Sequence, residues 1–173
     1  ADSGGGQLAL FLVDLERFKN VNDSLGRAAG DDLLKKVADW MTRRGGDASL
    51  LARVGTNHFA GVLPQVRPGG DLARFIERAI AAMESHPFVL EGATLRVTAK
   101  VGAALFPDDG SSAEILFQNA EAALKQAKVI GDRYLFHSSA MTEAVAGKLS
   151  LENQLRRALE NEEFVLHYQP KVD

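Results

Sequence analysis

Arg53-Val54-Gly55-Thr56-Asn57-His58-Phe59 lies between two apolar runs, Leu50-Leu51-Ala52 before it and Phe59-Ala60-Gly61-Val62-Leu63 after it. Such runs read as strands, and Gly55 and Asn57 tolerate the positive φ of a tight turn. The segment is therefore predicted to be a β-hairpin, closed by Pro64. On its own it is an ordinary hairpin tip with a solvated His58. Its meaning depends on what the rest of the chain sets beside it.

Upstream, Leu8 to Val13 is almost continuously apolar. That pattern suits a strand covered on both faces and so central in its sheet. The run ends in Asp14-Leu15-Glu16, and strand alternation puts Asp14 and Glu16 on one face. Two carboxylates at the end of a central strand suit Mg²⁺, a hard cation that needs few protein ligands when substrate phosphates supply more. They also read as two solvated acids.

Arg17 to Arg27 carries Phe18, Val21 and Leu25 at helical spacing, which predicts a short helix, with Gly26 and Gly30 marking a turn. Asp31 is then expected to cap a helix to about Arg43, with Leu33, Leu34, Val37, Trp40 and Met41 as one core-facing stripe. Past Pro64 a helix is predicted over Asp71 to Ser85. Phe88-Val89-Leu90 and Thr94 to Phe106 read as a second hairpin about Glu91-Gly92-Ala93. Ser111 with Glu114 forms a capping-box pattern for a helix through Ile130, which Gly131 stops. Tyr134-Leu135-Phe136 is a short strand.

His137-Ser138-Ser139 is expected to cap a connector helix to about Asn161, and Glu163 to Tyr168 starts a strand with no sheet of its own. The predicted organisation is a flexible leader at 1–7, a domain at 8–138, a connector at 139–161 and the opening of a truncated second domain at 162–173. The fold class is α/β in the α+β sandwich sense. A central mixed, mostly antiparallel sheet is flanked by helices, with the connector helix appended.

At 173 residues and 46% hydrophobic the chain can bury one ordinary core. A net charge of −3 gives no general attraction to nucleic acid or acidic lipid, so neither is an expected partner. With no cysteine there is neither a disulfide framework nor a thiolate metal site, and no apolar run reaches membrane-spanning length. The sequence reads as soluble and cytoplasmic.

Taken together, Asp14-Leu15-Glu16-Arg17-Phe18-Lys19-Asn20-Val21-Asn22-Asp23, then Gly26 and Gly30-Asp31, then Arg53 to Phe59, resemble the GGDEF family of diguanylate cyclases. Val101 to Pro107 and Ala120 to Lys128 are similar to that family's next strand and closing helix. Leu151 to Leu159 and Glu163 to Pro170 resemble the entry to an EAL domain, the family of cyclic di-GMP phosphodiesterases. The resemblance implies a nucleotidyl-cyclase-like palm. It implies GTP as ligand, Mg²⁺ as cofactor, a face-to-face homodimer and an adjoining EAL domain as partner. Positions matching Asn22 and Asp31 hold guanine in the family, those matching Phe18, Lys19 and Lys128 lie along the phosphates, and Asp14 matches a metal-binding aspartate with the Leu15 carbonyl beside it.

The signature departs from the family. Where Gly-Gly-Asp/Glu-Glu-Phe is expected, Thr56, Asn57 and His58 replace the second glycine and both acids. Thr56 adds a β-branched side chain where the nucleotide needs close backbone approach, and the other two changes remove negative charge from a divalent-cation site. His58 suits a borderline metal such as Zn²⁺ better than Mg²⁺, but no second His or Cys stands at ligand spacing. Arg27 replaces a family histidine, Asp132 replaces a phosphate-contacting arginine, and the product-inhibition motif falls on Gly46 and Ser49. The expected function is a catalytically degenerate GGDEF regulatory module of a tandem GGDEF-EAL cyclic di-GMP signalling protein, binding GTP without turnover and so not itself an enzyme. Two alternatives stay open: a residual diguanylate cyclase, and an interaction or spacer domain that binds no nucleotide.

Overall fold

A computed structural model describes residues 7–45, 47–66, 71–137 and 158. The chain divides into two units, 1–138 and 139–173, and the architecture below is that of the first. The expected connector helix and the strand at Glu163 to Tyr168 lie outside the described residues.

In order, the elements are β1 (Gln7–Leu15), α1 (Phe18–Gly45), a 3₁₀ turn (Ala48–Leu50), β2 (Leu51–Arg53), β3 (His58–Val66), α2 (Asp71–Ser85), β4 (Phe88–Leu90), β5 (Ala93–Leu95), β6 (Ala99–Phe106), α3 (Ala113–Ile130) and β7 (Tyr134–Phe136). The main sheet has the order β2-β3-β1-β6-β7. Its pairings are antiparallel except for β6 with β7. Thus β1 is central, as its lack of a polar face requires.

Alternation along β1 builds two cores. Leu8, Leu10 and Leu12 pack with Ala60, Ala104, Leu116, Ala120 and Leu124 under α3. Ala9, Val13 and Leu15 pack with Leu33, Val37, Trp40, Ile76, Ile80 and Met83 under α1 and α2. On the first face α3 lies almost on the backbone of β6. A Cβ added at Gly102 would sit 2.2 Å from the Ala120 carbonyl oxygen. By the same alternation Asp14 continues the row of Leu8, Leu10 and Leu12, so it faces α3.

Several boundaries differ from expectation. α1 is one run bent at Gly26 (φ 83°, ψ 165°), so the break precedes Gly30 and Asp31 lies inside the second segment instead of capping it. Pro64 does not close the hairpin but sits within β3, at the shift in register between Leu63↔Ala9 and Val66↔Gln7, where a missing N–H breaks no ladder bond. Residue Gln7, expected in the leader, already pairs in β1. The long arm of the second hairpin is two strands: β5 pairs only with β4 in a small separate sheet, and β6 joins the main sheet. The helix cap is Ser112, one residue beyond the expected Ser111, accepting from Ile115 N–H at 3.3 Å.

Candidate functional site

The end of β1, the tip of the β2–β3 hairpin and the last turn of α3 meet at Asp14. Register sets the neighbours: Asp14 pairs with His58 of β3 on one side and with Lys100 of β6 on the other. Residues opposite one another across strands share a face, so all three side chains stand on the α3 side of the sheet. Lys128 arrives from α3, whose register on the sheet is fixed by the close approach at Gly102.

Asp14 is only 5% exposed, and a buried carboxylate needs partners. It has three. Asn57 Nδ2 donates to Oδ1 at 2.6 Å, His58 Nε2 lies 3.1 Å from the same oxygen, and Lys128 Nζ lies 2.5 Å from Oδ2. Asn57 Nδ2 also donates to the Leu15 carbonyl at 3.0 Å, while Leu15 N–H donates back to the Asn57 carbonyl at 3.1 Å. The hairpin tip is thereby fastened to the end of β1 by side chain and backbone together. Its own shape comes from Arg53, whose guanidinium donates to the carbonyls of Gly55 at 3.0 Å and Thr56 at 2.9 Å. No positive φ falls in this turn, so the tight-turn reading of Gly55 and Asn57 is replaced by a longer turn held by a side chain.

A divalent cation does not fit these residues as they stand. Mg²⁺ needs oxygen lone pairs, yet two nitrogens that present N–H and one that faces a carboxylate edge already occupy the Asp14 oxygens. Among the described residues no group of three or more His, Asp or Glu side chains is placed to hold a metal. Glu16, expected beside Asp14, turns toward Lys100, 4.0 Å away.

A second grouping forms at the bend of α1. Phe18 is buried, and the Asn22 side chain lies over Gly30 so closely that a Cβ there would stand 1.9 Å from Asn22 Oδ1 and 3.1 Å from the Phe18 ring. The bend at Gly26 folds the first segment back to make that contact. Asp31 follows Gly30 directly and is exposed, as is Lys19 on the first turn. Of the predicted residues, then, Asp14, Asn57, His58 and Lys128 form one cluster, Phe18 and Asn22 gather at Gly30 beside Asp31, and Thr56 stands exposed at the hairpin tip.

Lys100 was not foreseen. Its ammonium donates to the Asp132 carbonyl at 2.7 Å, tying β6 to the turn after α3. Only the strand order reveals it, because Lys100 meets Asp14 through a pairing that spans most of the domain in sequence. Arg133 is committed elsewhere, to Glu84 of α2. Ser49, at the product-inhibition position, has both its N–H and its hydroxyl taken by Asp47, at 2.8 and 2.7 Å, and those bonds hold the Asp47 carboxyl below its usual range.

Residues 1–133 match the family model described as the diguanylate cyclase, GGDEF domain. The chain belongs to the GGDEF family. Over 167 residues this GGDEF chain is 36% identical to the cyclic di-GMP phosphodiesterase NbdA and to the bifunctional diguanylate cyclase/cyclic di-GMP phosphodiesterase MucR, both of Pseudomonas aeruginosa. Those alignments cover 96% of this chain but 21% and 24% of the two relatives, so it spans less than a quarter of their length. A solved structure of TpbB from Pseudomonas aeruginosa comprising only its GGDEF domain superposes with a TM-score of 0.69 at 32% identity, covering 82% of this chain and 83% of that one. The GGDEF fold accounts for the central β1 and for the hairpin that abuts it.

An apolar cavity of about 430 Å³ lies on the other face of the sheet, lined by Phe11, Trp40, Met41, Phe75, Ile76 and Met83 among others. It holds none of the residues of the Asp14 cluster. Trp40 belongs to the core there, tilted against His86 at 5.9 Å with the Arg44 guanidinium 4.8 Å from its ring.

Proposed function

We propose that this GGDEF domain holds GTP without turning it over and serves as the regulatory module of a tandem protein whose adjoining EAL domain degrades cyclic di-GMP. The observation that carries the reading is the commitment of Asp14. In the family that aspartate, with the hairpin acids, holds the metal that assists attack on the α-phosphate; here Asn57, His58 and Lys128 take its oxygens. Removing one preorganised electrostatic stabiliser typically costs about 10²–10³ in rate, and residues that act as a unit do not lose activity by simple multiplication. The rate loss falls on chemistry and spares the base-binding end, where Asn22 remains set over Gly30 beside Asp31.

The phosphodiesterase partner follows from the likeness of residues 151–170 to an EAL entry and from relatives such as NbdA, named as a cyclic di-GMP phosphodiesterase. GTP titration by calorimetry, alongside analysis of the nucleotides recovered after incubation, tests the reading. Saturable GTP binding with the nucleotide recovered intact is expected. No binding would favour a spacer domain, and recovered cyclic di-GMP a residual cyclase.

A further inference from the structure

We propose that the Asn57 carboxamide is a built-in substitute for a divalent cation, so that this site takes its nucleotide as the metal-free anion. The Asp14 carboxylate and the Leu15 carbonyl belong to consecutive residues, yet both direct an oxygen at one point. Asn57 Nδ2 occupies that point, 2.6 Å from one and 3.0 Å from the other. A carboxamide nitrogen has two N–H groups and these are two acceptors, so the match is complete. The geometry is held from behind as well, by the bond from Leu15 N–H to the Asn57 carbonyl. Where a cation would bind, the chain therefore presents the positive end of its own dipole.

The remaining charge is also met internally. Lys128 Nζ lies 2.5 Å from the other Asp14 oxygen, and His58 Nε2 3.1 Å from the first. A divalent ion reaching Asp14 would displace an amide that satisfies two buried acceptors and would stand beside an ammonium that repels it. Lys128 keeps capacity for a ligand. Its side chain is 41% exposed and has three N–H donors, of which Asp14 uses one. An anionic phosphate thus meets a lysine directly, with no ion between them. The nucleotide half of this inference rests on the function proposed above; the exclusion of metal from Asp14 does not.

The test is Mn²⁺ titration of the full chain followed by electron paramagnetic resonance, with thermal unfolding in EDTA and in Mg²⁺. Wild type is expected to show no saturable Mn²⁺ site and the same Tm in both buffers. Asn57→Asp replaces the donor with a ligand, so it is expected to gain a single site and a Tm higher by about 5 °C at roughly ten times Kd. Wild-type Mn²⁺ binding that Asp14→Asn abolishes would overturn the proposal, and so would a folded Asn57→Asp chain as indifferent to metal as wild type. Should Asn57→Asp not fold, wild type against Asp14→Asn still decides the matter. For the nucleotide, GTP is expected to bind several-fold more weakly in excess Mg²⁺ than in EDTA, because the cation ties up the free anion, and an affinity in Mg²⁺ equal to or higher than that in EDTA would contradict it. Failure of GTP to bind in either buffer would strike the functional reading and leave the Mn²⁺ titration to judge the metal.

Discussion

Asn22 reaches its place because Gly30 has no side chain, and this makes the pair a sensitive probe of the proposed base pocket. Asn22→Ala removes a hydrogen-bonding group, and a lost contact to a buried polar edge costs about 1–3 kcal/mol, roughly five- to hundredfold in GTP affinity. Gly30→Ala sets a methyl group where Asn22 Oδ1 now lies, and the end of that side chain can swing away. Gly30→Ala is therefore expected to leave Tm nearly unchanged while weakening GTP as much as Asn22→Ala does, and the double variant should be no worse than either. Additive losses in that calorimetric cycle would mean that the two residues act apart. The family resemblance singles out Asn22 and the hairpin tip, and the fold sets the first over Gly30 and the second against Asp14. The bonds from Asn57 to Asp14 and Leu15 were not legible in the sequence, because they cross from one strand to a turn some forty residues away and depend on the rotamer of one amide.

At the scale of elements, the fixed point is the seat of α3 on β6. Gly102 lets the helix backbone approach to 2.2 Å from where a Cβ would be, and backbone cannot yield as a side chain does. Gly102→Ala is expected to lower stability by about 1–3 kcal/mol, read as a lower urea midpoint at unchanged m-value. An unaltered midpoint would mean that α3 shifts freely, and Lys128 with it. The loop before α3 offers a pH probe. Burial pushes the Asp109 carboxyl above its ordinary value, more than the Leu105 N–H bonded at 2.7 Å and nearby His137 pull it back. A raised value in the folded state means that the fold favours the protonated acid, so its contribution is present below the ordinary carboxylate range and is lost as pH rises through the raised value. Asp109→Asn keeps an acceptor for Leu105 and has no charge to bury, so that part of the pH dependence should vanish; identical pH profiles for variant and wild type would refute this.

Much at this scale could be read in advance, including the central β1, the limits of α2 and the Gly131 stop, since each follows from a local pattern. The misses share a cause. The turn expected over Gly26 to Gly30 is a bend at Gly26 alone, and Arg96 to Thr98 break an apparently continuous strand, because the sheet and helix packing select among breakpoints that local propensity leaves equal.

For the molecule as a whole, the proposed loss of turnover lies in chemistry, on a GGDEF scaffold that stays intact. Thr56→Gly, Asn57→Asp and His58→Glu together restore the family's hairpin and should return Mg²⁺ binding. Turnover is expected only when Asp132→Arg is added, since an acid at that position repels a triphosphate. Product from the triple variant alone would show that Asp132 does not face the nucleotide. The central claim, GTP held without turnover, is tested most directly by mass-spectrometric assay of cyclic di-GMP from the wild-type chain with GTP and Mg²⁺, at a protein concentration that permits dimers. GTP recovered intact, with no product above the protein-free blank, is the expected result; cyclic di-GMP that accumulates with wild type and disappears with Asp14→Asn would contradict the proposed function.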